Sequence, residues 1–345
     1  MASDQVDAPC KLVPDDIKLD SSVVDVCFHP DRDVVAACTV GSEVLVYSYS
    51  NESNHLLLKL NHHKKPCRGV QFSHDGSKLF SISVDRSIQA VDMTTGATVH
   101  KIVKAHESPI YSFLVIDDYL LATGDDDGVF KVWDYRRATP IFEQKQMEDY
   151  ISCMTINEEK KILLATSGEG TLTAFNVRAK RMELQSEPFD SEMLSVSIIK
   201  RGTKAVVGDG EGVFNIFNWG EFGNISDRFP ENDSSVDCMI PITENIVCTG
   251  SIDGKLRAVN LLPNRVIGIV GEHEDFPIES LSLSKDKKLL ASCSQDETIK
   301  FWDIGYLHKE KVSDKNKAKA SVKKKHLKSS KTNPYNFFSG LESTE

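Results

Sequence analysis

Leu120 to Asp134 reads LLATGDDDGVFKVWD. A short apolar run, Leu120 to Thr123, precedes a cluster of small and acidic residues, Gly124 to Gly128. A second run follows, in which Val129 alternates with Lys131 and which ends in Trp133 and Asp134. Two short strands around an Asp-Gly turn predict a β-hairpin. The ending recurs along the chain at Tyr47, Val91, Trp133, Phe175, Phe217, Val259 and Trp302, with spacings of 44, 42, 42, 42, 42 and 43. Most of these anchors are followed by Asp or Asn. Each interval holds enough chain for four strands.

A repeat of about 40–45 residues with four strands per unit is the signature of a β-propeller, and seven units suit a closed ring. The chain resembles the WD40 family over roughly residues 15 to 304. The expected architecture is all-β: a single seven-bladed propeller over residues 12–304, a disordered segment over 1–11, and a disordered Lys-rich tail over 305–345. The resemblance implies that the N-terminal segment supplies the outer strand of the last blade. Ile17 and Leu19 alternating around Lys18 suit that role, and removing residues 12–20 should destabilise the ring by exposing sheet edges. The first repeat is degenerate, since Gly41 falls where other repeats carry an acid. The fourth and fifth repeats lack the His that opens the second, third and seventh.

Length alone would suggest two domains, but a propeller ring is one domain that cannot be cut. The net charge of −10 divides unevenly. Residues 305–345 hold ten lysines and four acids, +6, which leaves −16 on the first 304 residues. An acidic ring disfavours nucleic acid, while the tail would suit RNA phosphates. No apolar run is long enough to span a membrane and the N-terminus lacks a signal-peptide core, so an intracellular soluble protein is expected. Six of the eight cysteines lie in apolar strands and no CxxC pair occurs, which points to reduced, buried thiols.

His106, Thr123, Asp127 and Trp133 align with His273, Ser292, Asp296 and Trp302; His63, Ser81 and Asp85 match them in the second repeat, and Asp253 in the sixth. His, Ser and Asp together invite a hydrolase reading. A catalytic set would occur once, however, and this one recurs at the repeat spacing. The resemblance implies a hydrogen-bonded network inside each blade instead, so no catalytic residue is expected. Glu169 and Glu211 depart from the pattern and predict looser blades. Gly208 to Gly212 is a hairpin turn whose acids would repel phosphate. Asp125 to Asp127 fits no calcium loop, and His62, His63 and Cys67 lack a second pair of zinc ligands. Neither cofactor nor metal is expected.

The family alignment places Arg68, Tyr111, Ser152, Asp237 and Glu279 near the channel mouth, with Asp126 and Gln295 just before turn acids. One Arg and one aromatic among acids would suit a basic peptide partner. In the tail, Lys323, Lys324, Lys325 and Lys328 read as a nuclear or nucleolar address or an RNA-phosphate contact. Tyr335, Phe337 and Phe338 form an aromatic docking motif at its end. The acidic seven-bladed ring, the Lys-rich tail and the terminal NPYNFFSGL resemble a narrower nucleolar group of WD-repeat proteins. That resemblance implies a non-enzymatic scaffold in rRNA processing and ribosome biogenesis, whose ring would hold peptides of pre-ribosome assembly factors. It would be located in the nucleus and nucleolus with a cytoplasmic share, and be a monomeric ring within a larger complex. A second resemblance lies in Trp133-Asp134-Tyr135-Arg136, which is similar to WD40 proteins that dock on the damaged-DNA-binding adaptor of cullin-4 ubiquitin ligases. It implies an adaptor contact at Arg136.

Overall fold

The computed structural model describes residues 13–230 and 234–310. The N-terminal segment 1–11 and the tail residues Lys323, Lys324, Lys325, Lys328, Tyr335, Phe337 and Phe338 lie outside the described residues. Seven four-stranded antiparallel sheets form the blades of a propeller. Blades 1 to 6 each take four consecutive strands, beginning at Val23, Cys67, Ile110, Ile151, Met193 and Cys238. Blade 7 takes three, Ile278–Leu283, Leu289–Ser294 and Thr298–Asp303, and its outer strand is the N-terminal Ile17–Lys18. Ile17 pairs with Ile299 and Lys18 with Thr298, so both ends of the repeat region share one sheet. Ile17 is buried and Lys18 exposed, as the period of a strand requires.

The apolar core lies between blades. Seven clusters of buried residues occupy the seven blade interfaces. Trp133 of blade 3 packs with Phe80 and Ile82 of blade 2, and Trp302 of blade 7 packs towards blade 6. Trp302 has room because blade 6 offers Gly271 there: a Cβ at that position would sit 2.1 Å from the indole.

Polar bonds join the blades nearer the channel. Asp25 is the centre of the closure. Its carboxylate accepts from Ser280 Oγ of blade 7 at 2.6 Å, from the Val70 amide of blade 2 at 2.8 Å and from the Val26 amide at 2.9 Å. Ser112 Oγ donates to the Ile151 carbonyl at 2.6 Å and Ser195 Oγ to the Val236 carbonyl at 2.7 Å, joining blade 3 to 4 and blade 5 to 6. His29 Nε2 lies 3.1 Å from the Gly76 carbonyl of blade 2, where φ is +68° and a Cβ would overlap the imidazole.

The packed body continues past the expected boundary at 304. Gly305–Lys309 forms a 3-10 helix whose Leu307 is buried with Ile304, Ile242 and Leu256. An apolar side chain four residues beyond the last strand is what extends the fold.

Candidate functional site

Six of the seven inner strands enter the sheet through an irregularity. In six blades the pairing with the second strand shifts register after the first residue, leaving one residue unpaired: Val24, Arg68, Tyr111, Ser152, Leu194 and Glu279. A β-bulge re-aims its extra side chain, and here all six line the central channel. Asp237 of blade 6 lies just before the paired strand and joins them. Gln295 also lines the channel, while Asp126 reaches it through Arg68. The cavity holds about 650 Å³ and all seven blades contribute to its wall. The apolar bulge residues Val24 and Leu194 went unnoticed in the sequence, as did Ile252 in the blade 6 hairpin turn.

Arg68 Nη1 donates to Asp126 Oδ1 at 2.5 Å, and its guanidinium carbon stands 4.9 Å from the Tyr111 ring centre. Tyr111 packs on Tyr150 at 4.6 Å, and Tyr150 donates to Glu192 at 2.9 Å. Across the channel Asp237 accepts from Ser235 Oγ at 3.0 Å, and Glu279 accepts from Gln295 Nε2 at 2.7 Å. Burial pushes the Asp237 carboxyl up to about 6, with the nearby charge of Glu279 adding to the rise. Burial raises Glu279 as well.

Behind the mouth, the blade networks hold the entry loops. In blade 7, His273 Nδ1 lies 2.7 Å from Asp296, His273 Nε2 lies 2.7 Å from Ser292 Oγ, and Trp302 Nε1 donates to that hydroxyl at 2.7 Å. Burial lowers the His273 pKa, which favours a neutral ring donating through Nδ1 and accepting through Nε2. Blade 3 repeats the set around His106, Thr123 and Trp133 with one correction: the acid on His106 Nδ1 is Asp125, at 2.8 Å, not Asp127. Asp127 instead accepts from Ser108. Asp125 ends the second strand and also takes the Val129 amide at 2.8 Å, so it reaches both loop and turn. Asp209 of blade 5 works the same way, holding the Val213 amide at 2.8 Å and Asn215 Nδ2 at 3.0 Å. An acid two positions earlier, where blades 2, 6 and 7 carry Ser83, Ser251 and Ser294, is the signal that distinguishes these two blades.

Blade 2 keeps His63 Nε2 on Ser81 Oγ at 2.7 Å but carries Val91 where blades 3 and 7 carry Trp. His62 takes the vacant place, with Nε2 2.9 Å from the same hydroxyl. Asp85 lies 3.6 Å from His63 Nδ1 and is joined to it through Ser87. In blade 6, Asp253 is bonded by Arg257 at 3.0 and 2.5 Å. Glu169 of blade 4 accepts from the Glu148 amide of its entry loop at 2.8 Å and from Thr171 Oγ1 at 2.8 Å, a network with no His. These groups are committed to one another within each blade.

Arg136 sits away from the mouth, beyond the end of the third strand of blade 3. It makes two bonds to Asp134, at 2.8 and 2.7 Å, and stacks 4.0 Å over Tyr119. Arg136 holds the Asp134 carboxyl down at about 2.

Among the described residues no cluster of His, Cys, Asp and Glu could hold a metal ion, and the seven described cysteines are free thiols. No helix in the described chain is long and apolar enough to cross a membrane.

The WDR55 family model matches residues 14–307, the whole ring. The chain is 43% identical over 343 residues to WD repeat-containing protein 55 of Pongo abelii, covering 98% of this chain and 90% of that protein. It is 44% identical over 315 residues to WD repeat-containing protein 55 of Homo sapiens, covering 90% and 82%. To the WD repeat-containing protein 55 homolog of Aedes aegypti it is 42% identical over 330 residues, covering 95% and 70%. The period, the seven closed blades and these matches agree: the chain belongs to the WDR55 family of WD-repeat β-propellers.

Proposed function

We propose that this protein is a non-enzymatic scaffold of the nucleolus that acts in rRNA processing and ribosome biogenesis. The observation that carries the scaffold reading is the channel mouth, where bulged side chains from separate blades converge on one cavity. The His, Ser and Asp groups that could suggest hydrolysis are bonded to one another inside the blades and hold entry loops. The nucleolar assignment draws on family membership and on the Lys-rich tail. Its lysines, Lys323, Lys324, Lys325 and Lys328, would supply retention and any RNA contact, and Phe337 and Phe338 would dock on an assembly factor. The test is affinity purification of the full chain with probing of pre-rRNA after its depletion. Co-purified pre-ribosomal factors and accumulated precursors support the proposal; normal processing and no such factors sink it. A chain cut after Glu310 should fold but leave the nucleolus, and one that stays concentrated there removes the targeting role.

A second reading is docking on the cullin-4 adaptor. It is favoured by one feature: the Arg136 side chain is 49% exposed yet held in one orientation by Asp134 and Tyr119. Adaptor captured by the wild type and lost with Arg136→Ala would support it.

A further inference from the structure

The two walls of the mouth differ in charge. On blades 2 to 5, Arg68, Tyr111 and Tyr150 form one belt, closed by Asp126 at one end and Glu192 at the other. The positive charge of Arg68 is already met by Asp126 and one face of its guanidinium by Tyr111, so little is left to hold an anion. On blades 6 and 7, Asp237 accepts from Ser235 and Glu279 from Gln295, both neutral groups. Neither makes an ion pair among the described residues. Apolar surface flanks them: Ile252 is 59% exposed and Phe276, beside the channel-lining Pro277, is 49% exposed.

We infer that this mouth docks a basic peptide of a partner protein, with a Lys or Arg side chain entering the channel against Asp237 and Glu279 and an apolar neighbour resting on Tyr111 or Ile252. The inference rests on the scaffold reading and names the chemistry of what the scaffold holds. Three facts favour a cation over the alternatives. Half-buried carboxylates without counter-charge gain most from a charge-assisted hydrogen bond, because burial has removed part of their hydration. An exposed apolar and aromatic rim supplies contact area for the flanking residue. Phosphate, whether on RNA or on a phosphopeptide, would meet two carboxylates and an Arg already paired.

The test uses the full chain and a fluorescein-labelled peptide, Gly-Ser-Leu-Lys-Phe-Lys-Leu-Ser-Gly, with versions carrying Gln or Glu in place of Lys. Anisotropy should show binding of the Lys peptide, weakening with salt. The Asp237→Asn, Glu279→Gln double variant should lose at least about tenfold in affinity, the scale of one charge-assisted hydrogen bond. Glu158→Gln with Glu159→Gln, exposed acids at the turn between the first two strands of blade 4, should leave binding unchanged. Equal affinity of the double variant, or Gln or Glu peptides binding as well as Lys, overturns the inference. Should the double variant fail to fold, carbodiimide cross-linking of the wild-type chain decides. Links from the peptide lysines to Asp237 or Glu279 support the site, and links confined to other acids overturn it. The two readings fail separately: a mouth that binds the probe in a protein whose loss leaves rRNA processing normal removes only the nucleolar role. Impaired processing with a mouth that ignores the probe removes only the docking chemistry.

Discussion

Blades 2 and 3 share one apolar cluster and tie their entry loops down with an imidazole, yet they complete the tie differently. In blade 3 the hydroxyl of Thr123 lies between His106 and the indole of Trp133, a residue of the third strand. In blade 2 the strand offers Val91, and the second nitrogen on Ser81 comes from the loop itself, from His62. The carboxylates differ in the same sense. Asp125 is 1% exposed and touches His106 directly, whereas Asp85 is reached through Ser87 and keeps the Lys64 and Ser87 amides. What the fold needs is a satisfied hydroxyl and a satisfied carboxylate beneath each loop. Which residue satisfies them is free to change.

The largest expected effect follows from that difference in carboxylates. His106→Ala leaves Asp125 Oδ1 with the Asp127 and Val129 amides but removes the partner of Oδ2 on a carboxylate that is 1% exposed, and should cost about 3 kcal/mol or more, as for a buried acceptor left unpaired. His63→Ala leaves Asp85 with its hydroxyl and amide donors and should cost about 1–3 kcal/mol, as for a lost buried hydrogen bond. Urea unfolding of the two variants checks the order. Equal losses would mean that the two networks hold their loops in the same way.

A smaller effect separates the blades by pH. Burial holds both His62 and His63 down at about 4, and the neighbouring His62 lowers His63 further. A His lowered in the folded state binds fewer protons there than in the unfolded chain, so stability falls as pH drops from about 6.5 towards 4. Asp25 acts in the opposite sense. Burial raises it to about 6, so the folded state binds more protons and its contribution improves as pH falls through the same window. His62→Ala should therefore cost about 1 kcal/mol at neutral pH through the lost bond and flatten the acid response. Asp25→Asn should steepen it, because the opposing contribution is gone. Chemical denaturation at pH 7 and pH 5 reads both slopes, and an unchanged slope in both variants would remove this account of acid sensitivity.

The ring was legible in the sequence because each blade buries two faces, and two buried faces repeat at a fixed spacing whatever the side chains are. The alignment of repeats placed Arg68, Tyr111, Ser152, Asp237 and Glu279 at the inward-facing rim because they share one position per repeat, a bulge in four of them and, for Asp237, the residue just before the paired strand. Its apolar members, Val24 and Leu194, looked like ordinary strand residues. The blade networks were less legible. An alignment anchored on Trp133 and Trp302 assigns one chemical role per column, so it placed the acid at Asp127. The actual partner, Asp125, is defined by which carboxylate the imidazole reaches through space. His62 and Arg257 escaped for the same reason: each replaces a missing group from a different column.

The smallest structural effect is expected at Arg136, and that makes it the most informative change outside the ring networks. Its guanidinium is half-exposed and lies outside the apolar clusters, bonded to the buried carboxylate of Asp134. In Arg136→Ala the turn keeps the bond from the Arg137 amide to the Asp134 carbonyl at 2.8 Å, and Tyr135 keeps its buried place against Phe80. Unfolding stability should fall by no more than about 1 kcal/mol, since the Arg136 end of the pair is half-exposed and Arg137 Nε stands 3.6 Å from the same carboxylate. A variant this close to wild type in stability separates surface chemistry from folding. Quantitative mass spectrometry of material co-purified with the two chains then has a direct reading. Pre-ribosomal factors recovered equally by both would leave Arg136 as a turn residue without a partner. Cullin-4 adaptor recovered only by the wild type would make the Arg136–Tyr119 stack a docking surface in its own right, on a blade whose network and rim are otherwise accounted for.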